Sequence, residues 1–175
     1  ALRNYLLEQF HALPPLLIIS GHTGVGKTDL ILDVDNGIDL EGLAHHRGSA
    51  FGKRVLPQPA QTDFENALAI EILKQRPAPF IVLEDESRLI GRIQLPNAFK
   101  SAMDVAPVVV LQEATEQRIE RILNDYIVAQ YDELHAIHGE AAMVRLSDQL
   151  IAAADAIQKR LGGVRHKEVK MLLHN

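Results

Sequence analysis

The chain has 175 residues, of which 47% are apolar and 23% are charged, and its formal net charge is −5 at pH 7. This length and composition predict a soluble globular domain with a sizeable core, and the acidic balance does not favour a nucleic-acid-binding surface over the whole chain. The absence of cysteine excludes disulfides and cysteine nucleophiles from these residues, and without a long apolar stretch or a secretory signal we expect a cytoplasmic protein with no membrane contact.

The first half of the chain predicts helices that alternate with short strands. Pro14 and Pro15 end a first helix, and Asn36-Gly37 provides a turn before a segment in which acidic and apolar residues alternate. Thr62 and Glu65 form a capping-box pattern at the start of a later helix. In chain order we predict a helix over 1–12, a strand over 16–20, an amphipathic helix that carries Leu30, Ile31 and Val34, a strand over 38–42, a functional loop over 44–60 and a helix over 62–75.

The second half begins with apolar runs and continues with helical periodicity. Residues 80–83 and 108–111 are continuous apolar segments, which are typical of parallel strands covered on both faces. From Thr115 onward the apolar spacing predicts two long helices, the second of which ends at Gly162-Gly163. Strands that alternate with helices predict a doubly wound α/β sheet.

The most informative motif follows the first predicted strand. It has the pattern G-x-x-x-x-G-K-[ST] and runs Gly21-His22-Thr23-Gly24-Val25-Gly26-Lys27-Thr28. Its glycines let backbone N–H groups point at a phosphate, Lys27 adds a positive charge, and Thr28 offers a hydroxyl to a phosphate-bound Mg²⁺. We therefore predict that all eight residues bind a diphosphate or triphosphate.

This motif makes the fold prediction more specific. We expect a P-loop NTPase-like, doubly wound, mainly parallel sheet flanked by helices, with a helical C-terminal part. Residues 1–175 are predicted to form one P-loop domain, with a phosphate-binding α/β core over 1–111 and a mostly helical segment over 112–175. Because the chain starts at Ala1 without a methionine, we expect it to be a piece of a longer enzyme.

Acidic residues directly follow the apolar run at 80–83. P-loop enzymes use carboxylates at such a strand end to hold Mg²⁺ or to act as a base, so Glu84, Asp85 and Glu86 are catalytic candidates together with Lys27. The sequence does not choose among the three, although Glu84 with Thr28 is the predicted metal pair. Arg88 follows at a spacing suited to phosphate oxygens, but it could equally pair with the neighbouring acids.

Other cationic residues leave two interpretations open. Arg118 and Arg121 share a face of the first long helix, where they could close over a phosphate or pair with acids on the same helix. His45-His46-Arg47 could bind phosphate, a base edge or nothing. The basic residues near the C-terminal end of the chain could contact RNA or form a solvated surface.

One longer block resembles a known family. The run Asp39-Leu40-Glu41-Gly42-Leu43-Ala44-x-His46-Arg47-Gly48-Ser49-x-Phe51-Gly52 looks like the signature of the tRNA 2-selenouridine synthases. Further pieces match in order, and the resemblance covers nearly the whole chain. They are the phosphate loop, Gln58-Pro59-x-Gln61 with Phe64-Glu65-Asn66, Glu84-Asp85-Glu86-Ser87-Arg88-x-Ile90-Gly91, and Leu161-Gly162-Gly163-x-Arg165-His166.

The resemblance implies a transferase acting on the anticodon wobble 2-thiouridine of tRNA. Members of the family transfer a geranyl group from geranyl diphosphate to the thiouridine sulfur and then replace that sulfur with selenium from selenophosphate. Geranyl diphosphate or a nucleoside triphosphate is expected in the phosphate loop, with Mg²⁺ near Thr28 and Glu84. The expected substrate-binding residues are Asp39, Glu41, His46, Arg47, Ser49, Phe51, Arg118 and Arg121.

The sequence departs from the family at one point. The family carries an N-terminal rhodanese-like domain whose cysteine serves selenium transfer, and this chain has neither that domain nor any cysteine. We therefore expect the rhodanese-like domain as a partner within the full-length polypeptide and no complete selenation by these residues alone. Two alternatives stay open: an ATP- or GTP-dependent small-molecule kinase or NTPase, and a non-catalytic nucleotide- or tRNA-binding module.

Overall fold

A computed structural model describes residues 1–174 of the chain. Its strands are β1 (Leu16–Ser20), β2 (Gly37–Ile38), β3 (Ile81–Glu84), β4 (Leu89–Ile90), β5 (Ile93–Gln94) and β6 (Val108–Val110). Its α-helices are α1 (Leu2–Glu8), α2 (Lys27–Asp33), α3 (Leu40–Leu43), α4 (Gln61–Lys74), α5 (Asn97–Asp104), α6 (Thr115–Leu123), α7 (Ala129–His138), α8 (Ala142–Ala156), α9 (Gln158–Leu161) and α10 (Gly163–His174). None of these helices is long and apolar enough to cross a membrane.

Four strands form a parallel sheet in the order β2-β3-β1-β6. The register of the central pair places Leu16 opposite Ile81 and Ile19 opposite Glu84, so the carboxyl ends of β1 and β3 meet at one edge. A separate antiparallel pair, β4 and β5, follows β3. The predicted P-loop NTPase-like α/β fold with a helical C-terminal part is confirmed.

The main core lies between this sheet and helices α1, α4 and α5. Phe64, Leu68 and Ile72 of α4 are fully buried because their spacing places them on one helix face, against the sheet. Phe10 packs edge-on against Phe99 of α5, with ring centroids 6.2 Å apart. This packing fixes the strand ends from which the site residues extend.

Three local predictions are wrong. The apolar run at 108–111 was predicted to be covered on both faces, but it forms the edge strand β6, and Val108–Val110 are exposed. The strand predicted over 38–42 ends at Ile38, because Asp39 Oδ1 accepts a hydrogen bond from the Gly42 amide at 2.6 Å and so starts the short helix α3. The capping box at Thr62 does not form. Helix α4 begins at Gln61, whose side-chain amide donates to Glu65 Oε1 at 2.9 Å and so occupies the predicted capping acid.

The C-terminal part is helical, as predicted, with two interruptions. The first long helix contains a π-helical turn at Asn124–Val128, between α6 and α7. The second begins at Ala142 and is interrupted at Ile157 before α9. A further helix, α10, follows Gly162 and packs against α8.

The segment 44–60 is a structured loop held by backbone and side-chain hydrogen bonds. The Arg47 amide donates to the Gly52 carbonyl at 2.9 Å, which folds the middle of the loop into a tight turn. The Gln58 amide group donates to the carbonyls of Ala44 at 3.0 Å and Ile90 at 2.9 Å. Gln58 Oε1 also accepts from the Arg92 amide at 2.8 Å, so one side chain fastens the loop to the β4–β5 pair.

We expect Gln58→Ala to destabilise the protein by about 1–3 kcal/mol, because three backbone groups lose their partner. Urea denaturation measures the free-energy change, and hydrogen exchange should show faster exchange over residues 44–60. Gln112→Ala, which removes an exposed side chain, is the matched control. Equal stability of both variants would contradict the proposed role of Gln58.

Candidate active site

The phosphate loop connects β1 to α2 and has the backbone that its glycines predict. Gly24 and Gly26 adopt φ values of 80° and 88°, in the left-handed region that favours glycine. A Cβ atom at Gly24 would lie 2.6 Å from the Arg118 carbonyl oxygen, so this position also needs a residue without a side chain. Lys27 Nζ donates to the Gly21 carbonyl at 2.9 Å and thereby lies across the loop.

Thr28 and Glu84 join the loop to the end of β3. Thr28 Oγ1 donates to Glu84 Oε1 at 2.8 Å, and the Glu84 side chain is 1% exposed. Burial, together with the charges of Asp39 and Glu41, raises the pKa of Glu84 to about 7. A hydroxyl and a carboxylate brought together in this way fit Mg²⁺, which prefers oxygen ligands.

Residues 1–174 contain no group of three or more histidine, aspartate or glutamate side chains placed to hold a metal ion. A Mg²⁺ site of the phosphate-dependent kind needs only one or two protein oxygens, which share the ion with water and substrate phosphates. Thr28 and Glu84 are the residues suited to that role.

The two acids after Glu84 have different surroundings. Asp85 is exposed and accepts a hydrogen bond from Ser20 Oγ at 2.6 Å. Glu86 is 7% exposed, and its carboxylate lies where a side chain at position 48 would otherwise fit. Burial and the nearby charges of Glu41 and Glu84 raise the pKa of Glu86, against the opposing effect of Lys27.

One cavity of about 340 Å³ collects most of these groups. It is bounded on one side by the phosphate loop and on the other by the segment 44–60. Of the predicted residues it is lined by Gly21, Thr23, Gly24, Val25, Gly26, Lys27, Thr28, Glu41, Arg47, Ser49, Asp85, Glu86 and Arg121. The phosphate loop, the signature block and the acidic strand end therefore meet at one place.

Several predicted residues lie outside the lining of this cavity. Glu84 is buried behind Thr28, to which it is hydrogen-bonded, and Arg118 is also outside the lining. Asp39 caps α3, and Arg88 Nη2 donates to Asn97 Oδ1 at 2.7 Å. His46 Nδ1 is buried without a hydrogen-bond partner among the described residues, and burial lowers the pKa of its ring. Phe51 lines a neighbouring cavity, and the exposed His22 does not line the phosphate cavity.

The two arginines of α6 contact the phosphate loop rather than acids of their own helix. Arg118 Nε donates to the Thr23 carbonyl at 3.1 Å, and Arg121 Nη1 donates to the Gly24 carbonyl at 2.7 Å. Arg121 Nε also contacts Asp29 Oδ2 at 3.1 Å, on the first turn of α2. These bonds dock the helical segment onto the loop and place Arg121 in the cavity wall.

Several residues of the cavity, among them Arg54 and Tyr126, had no site role assigned from the sequence. Arg54 Nε is buried without a hydrogen-bond partner among residues 1–174, as is expected of a cation that faces an anionic ligand. Tyr126 lies 5.3 Å below the Arg47 guanidinium and accepts a hydrogen bond from Ser49 Oγ at 3.1 Å. The only sequence signal for a site role of Arg54 was its position between two motifs. Tyr126 had the helical spacing of a core residue, so nothing in the sequence indicated that it lines a cavity.

Comparison with known proteins assigns the family. Residues 14–175 match the family model described as the tRNA 2-selenouridine synthase AAA domain. The chain belongs to this family. It is 43% identical to the tRNA 2-selenouridine synthase of Pseudomonas fluorescens (strain Pf0-1) and 45% identical to that of Pseudomonas syringae pv. tomato, each over 99% of this chain. The protein of the same name from Shewanella piezotolerans is 44% identical over 100% of the chain.

The chain spans about half the length of these synthases, with 48%, 49% and 50% of each relative covered. No solved structure matches this synthase-family domain. The block that resembles the family signature, residues 39–52, forms α3 and the first part of the loop that faces the phosphate-binding residues. The family match and the geometry thus concern the same cavity.

The raised pKa of Glu86 predicts a pH-dependent stability. The pKa is about 8 in the folded protein against 4.5 for the free group, so the folded state binds more protons between these values and stability falls as the pH rises through this window. Glu86→Gln keeps the size of the side chain but removes its charge. The difference in free energy of unfolding, variant minus wild type, should therefore be higher at pH 8 than at pH 5 by on the order of 1 kcal/mol. Urea denaturation in EDTA at both pH values measures this difference, and a constant difference would show that Glu86 ionises normally.

Proposed function

We propose that this domain holds geranyl diphosphate and supports transfer of its geranyl group to the sulfur of wobble 2-thiouridine in tRNA. Replacement of that sulfur by selenium from selenophosphate follows in the full-length enzyme with its rhodanese-like domain. The observation that carries the proposal is that the phosphate loop and the family signature face each other across one cavity, with Lys27 and Thr28 on one side and Arg47 and Ser49 on the other. The name of the relatives, tRNA 2-selenouridine synthase, supports tRNA as the substrate.

The residues of the cavity suit departure of a diphosphate. As the carbon–oxygen bond breaks, its electron pair goes to the diphosphate, and Lys27 and the loop amides are placed to stabilise the added charge. Thr28 and Glu84 would hold Mg²⁺, which would supply Lewis-acid stabilisation of the same charge. Arg121, held over the loop by its bond to Gly24, adds a second cation to the wall.

The signature side of the cavity suits a nucleotide that has been turned out of a loop. The thiouridine sulfur forms the new carbon–sulfur bond, and the base releases its ring N–H proton. Asp85 lines the cavity as the proton acceptor, whereas burial raises the pKa of Glu86 to about 8 and keeps that carboxyl protonated near neutral pH. Single-stranded bases are recognised by stacking and by hydrogen bonds at their edges, and Arg47 and Tyr126 provide such groups.

Lys27→Ala should weaken binding of geranyl diphosphate in the presence of Mg²⁺ by more than about tenfold, equal to about 1.4 kcal/mol, because a charge-assisted contact is lost. Isothermal titration calorimetry measures the affinity, and mass spectrometry of thiolated tRNA measures transfer by the full-length protein. Lys74→Ala, on the surface of α4, is the control. Unchanged affinity, or no geranylated tRNA from the wild-type protein, would contradict the proposal.

Glu84→Gln should raise the Mg²⁺ concentration needed for half-maximal transfer by roughly tenfold, because the side chain keeps its size but loses the charge that attracts the ion. The measurement is the initial transfer rate across a Mg²⁺ titration. Asp104→Asn, which changes an exposed side chain at the end of α5, should leave the titration unchanged. If Glu84→Gln also left it unchanged, Glu84 would not hold the metal.

A further inference from the structure

One buried glutamine of the helical segment contacts both ends of the turn from Arg47 to Lys53. Gln130 of α7 is 3% exposed, and its Nε2 donates to the Lys53 carbonyl at 2.7 Å. Its Oε1 accepts a hydrogen bond from Arg47 Nη1 at 3.4 Å. The turn is therefore closed by Gln130 as well as by its own backbone, in which the Arg47 amide donates to the Gly52 carbonyl.

A third hydrogen bond sets the orientation of the Gln130 amide. An amide nitrogen carries two hydrogens, and those of Gln130 go to the Lys53 carbonyl and to Gln149 Oε1 of α8, which lies 2.8 Å away. The amide oxygen is thereby left to face Arg47. A flipped amide would place its nitrogen against the guanidinium and its oxygen against two acceptors, and would lose all three bonds.

The Arg47 side chain is held by the helical segment. Among residues 1–174, Gln130 is the only hydrogen-bond partner of its guanidinium, and the Tyr126 ring lies 5.3 Å from it. Tyr126 belongs to the π-helical turn that directly precedes α7. Because a free arginine samples many rotamers, these two contacts order the guanidinium before a ligand arrives and lower the entropy cost of binding.

Apolar packing alone attaches this loop to the helices. Val55, two residues after Lys53, packs against the buried cluster of Leu134, Ala142 and Leu146. A buried amide is not needed for such attachment, and it costs free energy unless its groups are hydrogen-bonded. What Gln130 adds to the packing is direction, because its hydrogen bonds require one placement of Arg47 and Lys53.

We infer that Gln130 is a positioning residue, which holds the Arg47 guanidinium against Tyr126 so that it meets the tRNA nucleotide in the cavity. The inference rests on the proposed function, with tRNA as the substrate, and adds a residue outside the signature block that sets the geometry of Arg47. Arg47 and Tyr126 line the phosphate cavity, whereas Gln130 does not. Gln130 therefore acts through Arg47 and not by contact with the substrate at that site.

The affinities of the full-length protein for two ligands separate positioning from a merely structural role. Gln130→Met keeps the length of the side chain and removes all three hydrogen bonds. It should weaken binding of thiolated tRNA at least about fivefold, measured by fluorescence anisotropy, because Arg47 is no longer ordered. Calorimetry with Mg²⁺ should show geranyl diphosphate affinity within about twofold of wild type, since Gly21–Thr28 is unchanged. Gln117→Met, at an exposed position of α6, is the matched control.

A double-mutant cycle with Arg47→Ala tests whether Gln130 acts through Arg47. Gln130→Met in the Arg47→Ala background should weaken tRNA binding by less than about twofold further, because the residue on which it acts has been removed. Gln149→Met takes away one partner of Gln130 from a half-buried position on α8, and it should weaken tRNA binding at least about twofold. This milder variant gives the answer if Gln130→Met does not fold.

The outcomes separate this inference from the proposed transfer. Equal losses from Gln130→Met in both backgrounds, or an equal loss of geranyl diphosphate affinity, would make Gln130 a structural residue and overturn the inference. Unchanged tRNA binding in Gln130→Met and Gln149→Met would also overturn it. The expected cycle without any geranylated tRNA from the wild-type protein would overturn the transfer and leave the positioning role in place. No tRNA binding by the wild-type protein would overturn both.

Discussion

Ile19 of β1 lies opposite Glu84 of β3 in a parallel register, and the hydrogen bond from Thr28 to Glu84 closes the phosphate loop onto that strand end. A shift of one residue would move Glu84 to the opposite face of the sheet. The register is held by the buried β1 and β3 residues that pack on α4. The contact between Thr28 and Glu84, and with it the orientation of the loop, therefore depends on the core.

The same arrangement concentrates carboxylates in a buried place. Burial raises the pKa values of Glu84 and Glu86, and the nearby charge of Glu41 adds to both shifts. Such a cluster costs folding free energy when ionised and is not needed to build the sheet. Groups with shifted pKa values in a cavity are characteristic of sites that bind cations or move protons, which agrees with a Mg²⁺-dependent transfer.

The sequence predicted the fold and much of the site because the decisive signals were local. The pattern from Gly21 to Thr28 and the apolar run before Glu84 each identify a strand end, and parallel strands bring such ends together. The alternation of acidic and apolar residues from 38 to 42 favours a strand, but the Asp39 side chain caps a short helix there instead. The predicted cap at Thr62 lies two residues after the actual N-cap, Ala60, and Glu65 is hydrogen-bonded to Gln61 instead.

The remaining features depend on contacts between distant segments. Arg121 is 97 residues from its partner Gly24, and Ser49 is 77 residues from Tyr126. A helical pattern shows that Tyr126 and Ile122 are on an inner face but not which loop they cover. The π-helical turn that carries Tyr126 has no sequence signature of its own. Only the structure therefore shows that Tyr126 lies in the cavity wall.

Binding of geranyl diphosphate between the phosphate loop and the segment 44–60 is tested most directly by ligand-dependent hydrogen exchange. With Mg²⁺ present, geranyl diphosphate should slow amide exchange both in residues 21–28 and in residues 47–54, at concentrations where ATP gives little protection. Protection of both segments by ATP, with none from geranyl diphosphate, would contradict the account and favour a nucleotide-dependent enzyme.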